Sequence, residues 1–129
     1  MKLTTNEIIK RSDTVKAIGA DYRGMIAFVK MHTDGDGARL MKHNNTLFFV
    51  SLGDPHKAGV LIFNADKPSD FTNNMSFLLK AMKAAQFQLL TFFTADKRTL
   101  KILENYGGRS KKLRNDPTHY YCVLDMRGI

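Results

Sequence analysis

The chain has 129 residues, 43% of them hydrophobic, which is enough for one compact domain with a single core (residues 1–129) and too little for a second. No apolar run approaches the ~20 residues a membrane-crossing helix requires, and MKLTTNEIIKRSD at the start lacks the long apolar segment of a signal peptide, so a cytoplasmic protein is expected. Twenty Lys and Arg against twelve Asp and Glu leave a formal net charge of +8, which favours phosphates, nucleic acid or an acidic partner, while the lone Cys122 excludes an internal disulfide.

In chain order, KLTTNEIIK reads as a short strand. Ser12 or Asp13 can then cap a helix carrying Val15, Ile18 and Tyr22 on one side, weakened by Gly19 and Gly24. Met25, Phe28 and Val29 keep helical spacing up to the tetrapeptide DGDG, and Leu40 and Met41 beyond it fall in a short amphipathic segment. The surrounding MHTDGDGARLMKHN invites comparison with a calcium loop, which needs oxygen ligands at positions 1, 3 and 5, glycine at 6 and a bidentate glutamate at 12. Asp34, Asp36 and Gly37 meet the third, fifth and sixth positions, but His32 and His43 stand at the two ends. Asp and Gly are also ordinary turn chemistry. A surface loop without metal is expected, and a zinc or iron site of His32, Asp34, Asp36 and His43 is the alternative that the donor types allow.

From Thr46 the pattern changes. TLFFVSLG and AGVLIFN, separated by GDPHK, predict an antiparallel hairpin whose near-continuous apolar character covers both faces. Pro68, Ser69 and Asp70 start a helix with Phe71, Met75, Leu78, Leu79 and Met82 on one face. FQLLTFF is a strand, and Thr94 or Asp96 caps a second helix bearing Leu100, Leu103 and Tyr106 until Gly107 and Gly108 end it. A strand-like stretch around Arg109–Arg114 precedes HYYCVLDM, the last strand. The predicted core is Leu47, Phe49, Val60, Ile62, Leu79, Leu90, Phe92, Leu103, Tyr121 and Val123, with Cys122 a small buried hydrophobe and His56 and His119 on the surface.

Basic residues concentrate between Lys97 and Arg114, where seven face two acids, Asp96 and Glu104. The cluster is either a contact for phosphates or a polyanion, through Arg109, Lys111, Lys112 and Arg114, or a solvated face. Strand alternation sends Arg109 and Lys111 to one side and Lys112 and Arg114 to the other.

The element order β–β–α–β–α–β–β and the stretch FFTADKRTLKILENYGG resemble the GCN5-related N-acetyltransferase (GNAT) superfamily, in a divergent form of possible phage type. In that family a strand ends at a polar residue, often Asn, and a short helix closes on an lYeklGF-like end. Aligning Gly107 with the glycine of that ending places Asp96 at the Asn and Leu103 where a Tyr, the usual catalytic acid, is common; Tyr106, about one turn on, is the substitute candidate. The resemblance covers Thr46 to Met126. It implies a single-domain α+β fold with a mixed, mostly antiparallel sheet flanked by helices. It also implies acetyl-CoA or another acyl-CoA as cofactor, in a splay between AGVLIFN and FQLLTFF, with main-chain groups of Val60, Leu61, Ile62 and Phe63 along its arm. The family's Q/R-x-x-G-x-G/A loop for the diphosphate is replaced here by NADKPSDFTNN, which has no glycine. Lys67, Ser69 and Thr72 at the helix start remain as phosphate contacts, opposed by Asp66 and Asp70. Asp66 and Asp96 also read as turn and cap residues, and Glu104 as solvent-facing.

Two classes of function follow. One is acyl transfer from acyl-CoA to an amine on an acidic or phosphate-bearing acceptor. The other is a catalytically inactive binding module of the same fold, for instance a viral, host-takeover or particle component acting through its basic surface. Binding of nucleic acid by the Lys97–Arg114 cluster is a third possibility, without an aromatic-interleaved platform visible in the sequence.

Overall fold

A capping box decides the first element. The Thr4 hydroxyl accepts from Glu7 N and the Glu7 carboxylate accepts from Thr4 N, so Thr5–Arg11 is a helix, α1, and not the expected strand. These reciprocal bonds also hold the Glu7 carboxyl below its ordinary pKa. The computed structural model describes residues 2–12, 21–35, 37–114 and 119–129; the predicted helix through Val15 and Ile18 and the central Asp36 of DGDG lie outside them. Asp21 caps α2 (Tyr22–Asp34), which carries the expected Met25, Phe28 and Val29 spacing and ends at Gly35.

Strands β1 (Ala38–His43), β2 (Thr46–Ser51) and β3 (Lys57–Asn64) form an antiparallel meander. The short amphipathic segment of Leu40 and Met41 is therefore a strand, its conformation set by pairing with Phe49 and Phe48 of β2. Helix α3 (Pro68–Ala84) crosses over to β4 (Leu89–Thr94), parallel to β3. Then come α4 (Lys97–Asn105), β5 (Arg109–Lys112) and β6 (Tyr120–Asp125), with a short 3-10 turn at Met126–Gly128. The six strands lie in the order β1-β2-β3-β4-β6-β5, antiparallel throughout except for β3 and β4. This is the expected α+β fold with a mixed, mostly antiparallel sheet flanked by helices.

The sheet has a core on each face. Phe48, Val60, Ile62, Leu90, Phe92, Cys122 and Leu124 pack against α3 and α4, whereas Leu47, Phe49 and Phe63 meet Ile8, Ile9 and Val29 of α1 and α2. In β6 the expected phase is inverted. Cys122 and Leu124 are fully buried while Tyr121 is exposed, because an apolar run with no polar alternation does not reveal which side faces in. Burial pushes the Cys122 thiol up from its ordinary pKa, with the Glu104 charge adding to the effect. His119, expected on the surface, is buried and stacks on Phe93.

Candidate active site at a splayed sheet

The parallel pair β3 and β4 is in register from Lys57↔Leu89 to Val60↔Phe92 and no further. Each strand continues, β3 to Asn64 and β4 to Thr94, held by its outer neighbour: β2 pairs β3 without a break from Ser51↔Gly59 to Thr46↔Asn64, and β6 pairs β4 up to Thr94↔Tyr120. Two rigid half-sheets thus diverge at the carboxyl ends of their parallel strands, which is where sheets of this kind open crevices for ligands. Of the residues expected along the opening, Val60, Ile62 and Phe63 have buried side chains and Leu61 is half-buried. Ile62 faces the core under α3, and Leu61 and Phe63 face α1 and α2.

The loop after β3 is built around one carboxylate. Asp66 Oδ2 accepts from Asn45 N at 2.8 Å, from Asn74 Nδ2 at 2.7 Å and from the Thr46 hydroxyl at 3.1 Å. Asn64 Oδ1 accepts from Asp66 N and from the Thr46 hydroxyl, and Asn44 Nδ2 donates to Asn74 Oδ1. Thr46 and Asn74 are fully buried, so the network is a satisfied polar plug joining loop, hairpin and α3. It holds the chain without the glycines the family loop uses, and it spends Asp66 on structure.

At the start of α3, Lys67 is the N-cap residue, exposed and making no side-chain cap bond. The N–H groups of Ser69 and Asp70 precede the first intrahelical bond, from Phe71 N to Lys67 O. Ser69 is exposed, while the Thr72 hydroxyl bonds back to Pro68 O at 3.2 Å. An open cleft of about 710 Å³ adjoins this end, lined by Lys2, Lys42, Lys67, Asn44, Asn45 and Asp70 among others. Lys2 and Lys42 were not among the sequence-based candidates. They are brought here by the α1 cap region and by β1, with Lys42 Nζ donating to Leu3 O, and no local motif marks them.

Across the splay, Asp96 caps α4: its Oδ1 accepts from Arg98 N at 3.0 Å and its Oδ2 from the Thr99 hydroxyl at 3.1 Å. Tyr106 terminates the same helix with an exposed ring. The helix between its two caps separates them by roughly 15 Å, so they do not meet at one substrate atom. Leu103, which the resemblance aligns with the usual acid, is fully buried in the core. Among the basic candidates, Arg109 and Lys111 share one face of β5, Lys112 lies on the other with its ammonium 6.0 Å from the Tyr120 ring centre, and Arg114 follows the strand.

Among the described residues no group of three or more His, Cys, Asp or Glu side chains could hold a metal. His32 packs on Phe28 and Phe49, and His43 stacks on Phe77 at 4.1 Å between ring centres. No helix among them is long and apolar enough to cross a membrane.

A sheet that splays between its central parallel strands, with the outer strands exchanged as β4-β6-β5, is the fold of the GCN5-related N-acetyltransferases. Several solved structures are similar to this one in fold. An aminoglycoside acetyltransferase in complex with coenzyme A matches with a TM-score of 0.63 at 14% identity, over 95% of this chain and 88% of the other. Ard1 from Thermoplasma volcanium matches with a TM-score of 0.62 at 10% identity, over 97% and 95%. A GNAT-family acetyltransferase from Bacillus anthracis matches with a TM-score of 0.52 at 12% identity, over 95% and 87%. No family model matches the sequence, and no curated protein matches it in sequence.

Proposed function

We propose that the chain is a divergent N-acyltransferase that binds an acyl-CoA in the splay and passes the acyl group to an amine of an acidic or phosphate-bearing acceptor. The observation that carries this reading is the end of β3–β4 pairing at Val60↔Phe92 while both strands run on. The likeness to an acetyltransferase in complex with coenzyme A supports it. The cofactor fits in part. The extended arm would lie beside the β3 main chain beyond Val60, and the start of α3 with the neighbouring Lys67, Lys2 and Lys42 offers positive charge to phosphates, with the Ser69 hydroxyl beside it and the Asp70 carboxylate opposing it. A cradle of consecutive glycine N–H groups is replaced by the Asp66 network.

When bound, the cofactor supplies an acyl thioester as the activated group. The protein's part is to hold that carbonyl beside the acceptor amine, since proximity supplies much of such a rate. The Tyr106 hydroxyl is the candidate to return a proton to the departing sulfur. A second reading, a binding module without catalysis, is favoured by one feature: the family's acid position is filled by the core residue Leu103.

Calorimetric titration with acetyl-CoA separates the two. The acyltransferase reading expects a micromolar Kd, about −8 kcal/mol, weakened by Lys67→Glu. Absence of heat at millimolar cofactor, with the fold intact by circular dichroism, overturns it.

A further inference from the structure

Among the described residues, helices α1 and α2 cover only one half of their sheet face. Beneath them lie Leu47, Phe49, Leu61 and Phe63 of β2 and β3. Beyond β3, on the same side, the registers assemble two cross-strand rows: Phe93, Tyr121 and Lys111, and next to it Thr91, Val123 and Arg109. Their strand neighbours Leu90, Phe92, Cys122 and Leu124 point the other way, into the core under α3 and α4. Phe93 is 36% exposed and Tyr121 41%, and Arg109 and Lys111 are exposed beside them.

The Phe93 ring is held in place. His119, only 3% exposed, stacks on Phe93 with ring centres 4.9 Å apart and planes 6° from parallel. At about 4.8 Å per strand, Phe93, Tyr121 and Lys111 lie in line across roughly 10 Å. Neither row contains an acid. Asp125 sits at the far end of this face opposite Leu89 and is paired with Arg127 at 2.8 Å, and Glu104 bonds Ser110 on the opposite face.

The chemistry selects an occupant. A purely apolar partner has no use for the two cations, and an acidic protein surface has none for two exposed rings. A chain of unpaired bases uses both, because its π-faces stack on aromatic side chains while its phosphates meet Lys and Arg. We propose that the β4-β6-β5 face binds single-stranded nucleic acid, with bases on Tyr121 and Phe93 and phosphates at Lys111 and Arg109. The two rings come from separate strands, β4 and β6, so their alignment is a product of register. This inference does not rest on the acyl-transfer reading.

Fluorescence anisotropy with a labelled 15-nucleotide oligodeoxythymidine, and with a duplex of equal length, tests the proposal. The single strand should bind at low salt at least tenfold more tightly than the duplex. Tyr121→Ala, a surface change, should weaken it roughly tenfold with little change in salt dependence. Arg109→Ala with Lys111→Ala should reduce the slope of log affinity against log salt by about 1.4, or ~0.7 per lost phosphate contact. Lys80→Ala with Lys83→Ala, removing the same charge from exposed sites on α3, should leave affinity near that of the wild type. The proposal is overturned if the wild type fails to bind at low salt, if Tyr121→Ala binds like wild type, if the α3 pair weakens binding as much as the β5 pair, or if poly-glutamate of equal charge binds as tightly.

Discussion

At Gly108 the backbone has no room for a side chain. An added Cβ would stand 2.8 Å from the Leu103 carbonyl oxygen and 3.0 Å from Cys122 Sγ, and neither can retreat. The carbonyl accepts the Gly108 N–H that closes α4, at 2.8 Å, and the thiol is fully buried. Gly108→Ala should therefore cost about 1–3 kcal/mol in denaturant unfolding. Gly24→Ala, inside α2 with nothing within 4 Å, should gain ~0.5–1 kcal/mol; equal stability of the two variants would contradict the packing described. Charge gives a second test at this scale. The Arg127 side chain and backbone N–H hold the Asp125 carboxyl at a pKa of about 2, below its ordinary 3.8. A depressed carboxylate contributes stability that is present above the ordinary value and is lost as pH falls through about 2. An NMR titration of Asp125 should show that low midpoint, and Arg127→Ala, which removes the side chain and keeps the backbone N–H, should move it only part of the way back toward the ordinary value; a wild-type midpoint near 3.8 would refute the pairing.

Helix starts were the most legible elements, because their signals are local. Pro68-Ser69-Asp70 and the spacing of Phe71, Met75 and Leu78 mark α3, and Asp96 marks α4. The cap is open to a direct test: Asp96→Ala should lower stability by about 1 kcal/mol while Asp96→Asn, which keeps an acceptor, stays near wild type in thermal melts. If Asn were as damaging as Ala, the carboxylate would have a task beyond the two bonds it makes to Arg98 N and Thr99. The same kind of signal lay in Thr4-Thr5-Asn6-Glu7, whose capping-box spacing outranks the strand-like composition around it. Strands were harder. Register across neighbours places β1 and sets the phase of β6, and the four-residue β5 takes its place in the sheet from pairing with β6. The candidate site was legible only where it is local: Lys67 and Ser69 follow from the helix start. Lys2 and Lys42 reach the cleft from other elements, and the Asp66 partners come from two separate places along the chain, Asn45 and Thr46 at the β1–β2 hairpin and Asn74 on α3.

At the scale of the whole molecule, the +8 charge is not one uniform coat. Lys2, Lys42 and Lys67 gather at the cleft beside the start of α3, and Arg109 and Lys111 on the β4-β6-β5 half of the sheet. The two proposals thus engage different lysines and arginines, and their tests fail separately: loss of acetyl-CoA heat in Lys67→Glu leaves oligonucleotide binding in place, and Tyr121→Ala does the reverse. The placement of β6 between β4 and β5 has a further consequence for how the protein is made. A nascent chain emerging from the ribosome presents β5 before β6, yet β5 has no partner in the sheet until β6 has slotted in beside β4. Synthesis alone therefore cannot zip this half of the molecule up strand by strand. Phe92 and Leu90, whose cover includes Cys122 and Leu124, wait for the last strand to dock, and during that interval they are the surface a chaperone would meet.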